Sequence, residues 1–481
     1  MIDELKMLEK EARLLDTDPA IRADLNREVL EYVEDFLQSI DETPAFQSEP
    51  VTPSLLDEDF PESGRELSDA LQTLHEQVDH VGIATTSPRF MGYIPGGGLY
   101  HSALGDMLAA VANRYAGVYF ASPGAVRIED QCLKWMADLI GYPSTFGGYL
   151  SAGGSLANFT AVVTARDACS VKGDAIPRSV IYLTDHAHHC IDKAIHLAGL
   201  SDCVIRRIPV DARYRMDAEA LQAQVLTDER DGLTPFFVMA SAGTTNTGSV
   251  DPIEHIGRIA ETHHIWYHID GAYGAFFTLC EAGKNILKGM ELSDSIVMDP
   301  HKTLFLPYGT GALLVKNQDR LLKSHQVGAD YMQDVLHVEA TSPATLSPEL
   351  TKHFRGLRLW LPLQVLGVGP FRAALQEKMV LARYFHEKLS TVKGFEVGPE
   401  PDLSVVTYRF HPDSGDPDEF NHRLVQAIHR DGRIFVSSTR LNGVYMLRMA
   451  ALCFRTHRQD IDTAIEVLME LSSELNQANQ P

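Results

Sequence analysis

The sequence predicts an α/β protein with a mostly parallel mixed sheet, helices on both faces of that sheet, an N-terminal helical segment and a small C-terminal α+β domain. From about residue 99 to 370, apolar runs alternate with helical stretches, which is typical of parallel strands joined by helices. The runs are SVIYLT (179–184), FFVMAS (236–241), IWYHID (265–270), SIVMD (295–299) and GALLVK (311–316). Beyond about residue 370, a helix, short alternating strands (SVVTYRF, VYMLRMA) and a closing helix indicate the smaller domain, over 371–481.

The N-terminal segment, residues 1–98, is predicted to be mainly helical. Apolar residues at helical spacing indicate two amphipathic helices: Leu5, Leu8, Ala12 and Leu15 in the first, and Val29, Val33 and Phe36 in the second. A third helix is expected from about Glu66 to Val81. The segment has little core of its own, so we expect it to pack against another surface, such as a second subunit.

The composition excludes several classes of protein. Of the 481 residues, 42 are Lys or Arg and 65 are Asp or Glu, so the formal net charge of −23 argues against nucleic-acid binding. The six cysteines form no CxxC pair, which favours reduced thiols. No apolar run approaches the roughly 20 residues that a membrane helix needs, and the N-terminus has no apolar signal region. We therefore expect a cytoplasmic protein that does not bind membranes.

Two motifs carry features of a ligand site, one where a turn opens a helix and one at the end of a predicted strand. The turn in GYLSAGGSLANF (148–159) places Gly154 and Ser155 at the start of a helix, where free N–H groups and the helix dipole favour a phosphate. Asp270 ends the run IWYHID, and a carboxylate there is costly without a cationic partner. The alternatives are an ordinary glycine turn and a structural N-cap or salt bridge.

The stretch DPHKTLFLPYGTGALLV (299–315) contains a lysine at the end of a predicted strand. Lys302 follows His301, and a lysine in such a place can have a lowered pKa and act as a nucleophile toward a carbonyl. Lys302 lies 32 residues after Asp270, which suits one strand–helix–strand excursion. We therefore expect both side chains at the same edge of the sheet.

Two further stretches supply aromatic and hydroxyl groups. TDHAHHCIDKA (184–194) has no carboxylate or cysteine at a convincing ligand spacing, so a histidine stacked on an aromatic cofactor is favoured over a metal site. ASAGTTNTGSVDPI (240–253) runs from a strand into small hydroxyl residues that can reach a phosphate or an imine. Together the motifs match pyridoxal phosphate: a lysine for the aldehyde, a carboxylate for the ring nitrogen and a glycine turn for the phosphate.

The chain resembles the group II pyridoxal-phosphate-dependent decarboxylases, which include the aromatic-L-amino-acid, histidine, glutamate and cysteine-sulfinate decarboxylases. The resemblance extends from about residue 20 to 470, with the motifs in the family's order and spacing. Besides the stretches above, it rests on SPRFMGYIP (87–95), YFASPGAVRIE (119–129), FRGLRLW (354–360) and YMLRMA (445–450). It implies fold type I and a homodimer with active sites at the subunit interface.

The resemblance also implies roles for individual residues. Lys302 matches the Schiff-base lysine, Asp270 the partner of the pyridine nitrogen, and His188 the histidine stacked on the cofactor. The remaining matches are Ala272 against the ring, Gly154 and Ser155 in the phosphate turn, Thr245 beside the cofactor, and His301 at the phosphate. Asp299 stands where relatives often have Asn. Tyr331, 29 residues after Lys302, matches a loop tyrosine that reprotonates the substrate carbon, whereas aldehyde-forming relatives have Phe.

The expected reaction is therefore decarboxylation of an L-amino acid to its amine and carbon dioxide, with Schiff-base exchange at Lys302 and reprotonation by Tyr331. A transaminase, a lyase or an oxidative deaminase is the alternative, and a non-enzymatic binding protein is disfavoured because the lysine and the carboxylate are both present. The substrate stays open. The glycines at 96–98 depart from both the aromatic and the acidic branches of the family, at a place that the resemblance assigns to the substrate pocket, so we expect either a roomier pocket or walls supplied elsewhere.

Overall fold

The computed structural model of the protein describes residues 1–47, 59–326 and 341–478. Its N-terminal part contains three helices, α1 (Ile2–Ala12), α2 (Pro19–Ser39) and α3 (Leu67–Leu74), and a two-stranded antiparallel sheet of β1 (Phe46–Gln47) and β2 (Gly82–Ile83). All three predicted helices are present. Within these described helices no residue is buried, which agrees with the expectation that the segment has little core of its own.

The central sheet has seven strands in the described residues, in the order β3-β9-β8-β7-β6-β4-β5. They are β3 (Gly147–Ser151), β4 (Ser179–Leu183), β5 (Val204–Arg207), β6 (Thr234–Ser241), β7 (Trp266–Asp270), β8 (Ser295–Met298) and β9 (Gly311–Val315). β9 runs antiparallel to both of its neighbours and the other pairs are parallel. The predicted fold class is therefore confirmed, while β3 and β5 are strands that the sequence analysis did not identify.

Helices cover both faces of this sheet. They are α4 (Tyr100–Ala112), α5 (Pro123–Ile140), α6 (Gly154–Ala168), α7 (Cys190–Leu197), α8 (Ala218–Arg230), α9 (Ile253–Thr262), α10 (Glu281–Ile286), α11 (Pro300–Thr303), α12 (Gln318–His325) and α13 (Arg355–Leu366). Because side chains alternate along a strand, Val238 and Ala240 join the core under α5, α8 and α9, whereas Phe237 and Met239 join the core under α6 and α7. Both faces are apolar, as a sheet buried on two sides requires.

The C-terminal part has a second sheet, antiparallel throughout, in the order β10-β11-β13-β12. Its strands are β10 (Phe395–Val397), β11 (Val405–Phe410), β12 (Ser437–Leu441) and β13 (Val444–Ala450). Three helices, α14 (Gly369–Ser390), α15 (Pro417–Asp431) and α16 (Arg458–Ala478), share a separate apolar core with it. The predicted α+β texture is present, and the boundaries 1–98, 99–370 and 371–481 stay predictions.

None of the helices in the described ranges is both long and apolar enough to span a bilayer. The cytoplasmic location stays a prediction.

A buried ion pair attaches the chain to the sheet where the described residues resume after position 340. Lys352 Nζ lies 2.6 Å from Glu129 Oε1 on α5 and donates to the carbonyl of Leu150 on β3 at 3.0 Å. The Leu150 N–H in turn donates to the same Glu129 oxygen at 2.9 Å. Both charged side chains are almost completely buried, at 0% and 1% exposure.

We expect Lys352→Met to destabilise the protein by about 3–5 kcal/mol, because it leaves the Glu129 carboxylate buried without its cation. Lys134→Met is the matched control on α5, since it removes an exposed pair with Asp138 that is worth only about 0.3–0.5 kcal/mol. The denaturant midpoints of the two variants measure the difference. Equal midpoints would show that the buried pair contributes no more than the surface pair.

Candidate active site

A cavity of about 430 Å³ lies at the carboxyl ends of the central parallel strands, which is where ligands bind in open α/β sheets. The sequence predicted ten site residues, and nine of them line this cavity: Gly154, Ser155, His188, Thr245, Asp270, Ala272, Asp299, His301 and Lys302. The tenth, Tyr331, lies outside the described residues. The fold therefore brings together groups that are up to 148 positions apart in the sequence, from Gly154 to Lys302.

Asp270 occupies the last position of β7, at the floor of the cavity. Its Oδ1 accepts the N–H of Ala272 at 3.2 Å, and its Oδ2 accepts the amide of Asn158 at 3.4 Å. The side chain is largely buried but still borders the cavity. Two donors therefore hold the carboxylate while one edge remains open to a ligand.

Lys302 lies on α11, the short helix that follows β8 and turns the chain toward β9. Its Nζ is 3.3 Å from Asp299 Oδ2, and a quarter of the side chain is exposed. Burial by itself would lower the pKa of Lys302, but the carboxylates of Asp299 and Asp270 outweigh burial and raise that pKa above the ordinary value. The expectation of a lowered pKa is thus wrong for the protein without a bound ligand, because a strand end placed two carboxylates beside the amine.

Asp299 connects the lysine to the glycine turn. Its Oδ2 accepts the N–H of Gly154 at 3.1 Å and lies 3.7 Å from His301 Nε2. The side chain is only 1% exposed, and its Oδ1 has no hydrogen-bond partner among the described residues. The Asp299 carboxylate therefore accepts a hydrogen bond from the first N–H of α6 and also lies beside the Lys302 amine.

Close packing against Asp299 requires glycine at two positions, one at the start of α6 and one at the start of β9. A Cβ on Gly154 would lie 2.7 Å from Asp299 Oδ2, and a Cβ on Gly311 would lie 2.6 Å from Asp299 Oδ1. The N-cap residue of α6 is Gly153, which has no side chain to cap the helix, and Asp299 binds only the first N–H. The N–H groups of Ser155 and Leu156, which also line the cavity, belong to a free helix end that favours an anion.

The two cavity histidines are neutral at ordinary pH. Burial lowers the pKa of His188, whose Nδ1 accepts the N–H of Cys190 at 3.3 Å. Burial also lowers the pKa of His301, whose Nδ1 donates to the carbonyl of Thr310 at 2.6 Å. Neutral imidazole rings can lie against an aromatic ligand without bringing a charge to it.

Three residues with contacts to the site were missed by the sequence analysis. Asn158 donates to Asp270, and His268 binds Asn158 at 2.8 Å. Arg448 donates to the carbonyls of Thr245 and Tyr93 at 2.7 and 2.8 Å, so it ties the hydroxyl loop to the GYIP segment. A signal for His268 was present, because a polar residue two positions before Asp270 in a buried strand lies on the same face. A similar signal was present for Arg448, which is a charged residue within the apolar run YMLRMA.

The expectation that the glycines at 96–98 lie at the substrate pocket stays a prediction. They are not among the residues that line the cavity. A Cβ on Gly96 would lie 2.4 Å from the carbonyl oxygen of His301. Gly97 has a φ of +96°, and its carbonyl oxygen accepts a hydrogen bond from Arg455 Nη1 at 2.6 Å. Gly96 therefore lets the chain pack against the turn that carries Lys302.

The arrangement of these groups fits pyridoxal phosphate. Lys302 offers an amine for the aldehyde, the open edge of Asp270 suits a protonated ring nitrogen, and the free end of α6 suits a phosphate. The glycine contacts show that this end is built for close approach of backbone rather than filled by side chains. Fold and site together define a pyridoxal-phosphate-dependent enzyme.

Comparisons with known proteins specify the family. Residues 50–411 match the model of the pyridoxal-dependent decarboxylase conserved domain. An aromatic-L-amino-acid decarboxylase of Bacillus atrophaeus is 32% identical over 448 residues, covering 90% of this chain and 92% of the relative. A phenylacetaldehyde synthase of Arabidopsis thaliana is 28% identical over 474 residues, covering 93% and 95%.

The fold comparison agrees with the sequence comparison. The crystal structure of Oryza sativa TDC with PLP and tryptamine matches with a TM-score of 0.90 at 25% identity, covering 95% of this chain and 99% of that one. This chain belongs to the pyridoxal-dependent decarboxylase family. Its cofactor is pyridoxal 5′-phosphate and its reaction is the decarboxylation of an amino acid, which confirms the expected enzyme class.

We expect Asp299→Asn to lower the pKa of Lys302, because it removes the carboxylate that lies 3.3 Å from the amine and favours its protonated form. In the apoenzyme, the pH at which Lys302 becomes half-reactive toward acetic anhydride should move down accordingly, as measured by mass spectrometry of the Lys302 peptide. Asp294→Asn is the control, since Asp294 is also buried but lies at the opposite end of β8. An unmoved midpoint, or an equal shift in both variants, would contradict this assignment.

Proposed function

We propose that the chain decarboxylates an aromatic L-amino acid, with the cofactor held by Lys302 and the product carbon reprotonated by Tyr331. The observation that supports the assignment of the site is the shared cavity of Lys302, Asp270 and the free end of α6. The name of the Bacillus atrophaeus relative supports the aromatic class.

Each cavity group would hold one part of the cofactor. Lys302 Nζ would bond to its aldehyde carbon, Asp270 would accept a hydrogen bond from its protonated ring nitrogen, and the N–H groups of Ser155 and Leu156 would bind its phosphate. When bound, the cofactor supplies an electron sink for the pair that remains after carbon dioxide leaves. Ala272 and His188 would contact the ring, and Thr245 and His301 would contact its polar substituents.

The chain's own charges support this division of roles. Asp299 and Asp270 keep Lys302 protonated in the absence of a ligand, so the Lys302 amine must lose a proton before it can bond to a carbonyl. Asp299 is already engaged by Gly154 and Lys302, so it would orient the lysine rather than bind the phosphate. Tyr331 follows from the family resemblance alone, and its hydroxyl would donate the proton to the substrate carbon.

The charge of the cavity favours an aromatic substrate over an acidic one. Among the described residues that line it, Lys302 is the sole Lys or Arg, and two carboxylates already face that amine. The guanidinium of Arg448 is taken by the carbonyls of Tyr93 and Thr245 and by the hydroxyl of Ser437. An acidic substrate side chain would therefore meet no unengaged cation here, whereas an aromatic one needs none.

We expect the pyridoxal-phosphate-loaded protein to release carbon dioxide and the matching amine from L-tryptophan, L-tyrosine, L-phenylalanine or L-DOPA, and little from L-glutamate or L-cysteine sulfinate. Carbon dioxide release and product mass measure this preference. Lys302→Ala should abolish the cofactor's imine absorption band together with turnover. Preferred turnover of the acidic pair would overturn the aromatic assignment.

Aldehyde formation is the second candidate, because the Arabidopsis thaliana relative is named a phenylacetaldehyde synthase. Tyr331 favours the amine product in this chain, since the resemblance associates Phe at that position with aldehyde-forming relatives. In the same product assay, Tyr331→Phe should therefore convert amine into aldehyde. Aldehyde from the unchanged protein would favour this second candidate.

We also propose a homodimer whose active sites lie at the subunit interface. The first helices and α4 expose several large apolar side chains: Leu5, Leu8, Leu30, Met107, Leu108 and Val111. An apolar groove of about 350 Å³ between α2 and α4 adjoins them. Exposed apolar side chains of this number, together with an apolar groove, support burial against a second copy.

Leu108→Glu is expected to dissociate the dimer and to reduce decarboxylation with it, because it places a charge in the apolar surface. Sedimentation equilibrium measures the oligomeric state. Leu226→Glu, a similarly exposed leucine on α8, is the control and should remain dimeric. A monomeric wild-type protein with full activity would rule out the proposal.

A further inference from the structure

We propose that five buried groups form a one-way hydrogen-bond relay, from Trp266 through Ser295, His268 and Asn158 to Asp270, which holds Asp270 in place for the cofactor. His268 and Asn158 are then positioning residues for the decarboxylation. The inference rests on the proposed role of Asp270 as the partner of the ring nitrogen.

The relay follows from the alternation of side chains along β7. Trp266, His268 and Asp270 occupy every second position of this strand, so all three lie on the same face. Ser295 opens β8, whose first residue pairs with His268, and Asn158 lies one turn into α6. Two strands and a helix therefore converge on one line of polar groups.

The contacts along this line are continuous. Trp266 Nε1 lies 2.9 Å from Ser295 Oγ, and Ser295 Oγ lies 2.8 Å from His268 Nδ1. His268 Nε2 lies 2.8 Å from Asn158 Oδ1, and Asn158 Nδ2 lies 3.4 Å from Asp270 Oδ2. Ser295 and His268 are completely buried and Asn158 is 1% exposed, so the protein itself has to satisfy these groups.

The two ends fix the direction of every bond. The indole N–H of Trp266 can only donate, and an ionised carboxylate can only accept. Asp270 therefore accepts from the Asn158 amide, and Asn158 Oδ1 is left to accept from His268 Nε2. A neutral ring with its proton on Nε2 accepts at Nδ1, so Ser295 donates its hydrogen to Nδ1 and accepts from Trp266.

The neutral state of His268 agrees with this pattern. Burial lowers the pKa of His268 to about 4, so the ring carries a single proton at neutral pH. A cationic His268 ring would also carry a hydrogen on Nδ1. That hydrogen would point at the hydrogen that Ser295 donates, and the contact would be repulsive.

The relay restricts Asn158 to one orientation of its amide. A flipped amide would point Oδ1 at the Asp270 carboxylate and would point N–H₂ at the N–H of His268, so both contacts would become repulsive. In the observed orientation, the second amide hydrogen also has an acceptor, the Cys190 sulfur at 3.4 Å. Asp270 therefore receives a donor on each oxygen, from Asn158 and from the N–H of Ala272.

The first experiment compares neighbouring substitutions on β7. His268→Phe breaks the relay at its centre and frees the Asn158 amide. We therefore expect the Kd of pyridoxal phosphate to rise about tenfold and kcat to fall about tenfold, with little change in KM. Tyr267→Phe is the matched control, since it removes one buried hydrogen bond, to the carbonyl of Ile253, on the opposite face of the same strand. Its cofactor Kd and kcat should stay within about twofold of the wild type.

Rescue separates positioning from mere packing. His268→Gln keeps a donor for Asn158 Oδ1, so it should recover a large part of the cofactor affinity at a similar thermal midpoint. Asn158→Leu should match His268→Phe, and the double variant should be no worse than either, because both act through one contact. Independent, additive losses would overturn the relay.

The second experiment needs no variant to fold well. In apoenzyme labelled with ¹⁵N-histidine, two-bond ¹H–¹⁵N correlations should show one slowly exchanging imidazole with its proton on Nε2, which disappears in His268→Gln. A proton on Nδ1, or a doubly protonated ring, would overturn the inference.

Asp270→Asn distinguishes failure of the relay from failure of the proposed function. If Asp270→Asn weakens cofactor binding and catalysis while His268→Phe and Asn158→Leu do not, the relay alone is wrong. If Asp270→Asn itself leaves the cofactor Kd and kcat unchanged, the assigned role of Asp270 is wrong.

Discussion

The structure depends on an imbalance of charge held at the edge of a buried sheet. Asp270 and Asp299 face Lys302, the one lysine among the described residues that line the cavity, and all three groups lie largely out of water. Two carboxylates and one ammonium leave one uncompensated negative charge, which would be costly in a closed interior. A ligand with a cationic ring nitrogen supplies the missing charge at Asp270, so the cofactor completes the electrostatics of the site as well as its chemistry. The raised pKa of Lys302 is the signature of this incomplete state.

The sheet positions these charges through simple periodicities. β7 and β8 are parallel neighbours, so Asp270 and the chain leading to Lys302 emerge at the same edge. Because side chains alternate along β7, His268 and Trp266 lie on the same face of the sheet as Asp270. Polar groups in that position need partners, and the partners form a line that ends on the carboxylate. Rigidity at the cavity floor is thus a consequence of satisfying buried donors and acceptors.

Much of this was readable in the sequence. The apolar runs located five strands of the central sheet, the ends of two of them located Asp270 and Lys302, and the paired glycines located the turn at Gly154. β3 escaped because GGYLS is rich in glycine, and β5 because VIRR is half charged at the sheet's edge. The pKa of Lys302 was misjudged because its sign depends on a 3.3 Å contact with Asp299 that spacing cannot reveal. The close contact of Gly96 with the carbonyl of His301 was hidden for the same reason, since the two residues are some 200 positions apart in the sequence.

Asp299 gives the site a coupling that neither half has alone. One of its oxygens accepts the first N–H of α6 and also faces Lys302, so the anion end and the lysine end of the cavity share a single carboxylate. An anion bound at α6 would repel the Asp299 carboxylate and push it toward the Lys302 ammonium. Conversely, once Lys302 becomes neutral, Asp299 loses its counter-charge and is left to the helix N–H alone. Binding of the phosphate and the protonation state of Lys302 are therefore linked through Asp299. Because the Asp299 carboxylate attracts the ammonium at about 3 Å, an anion at α6 favours the protonated lysine.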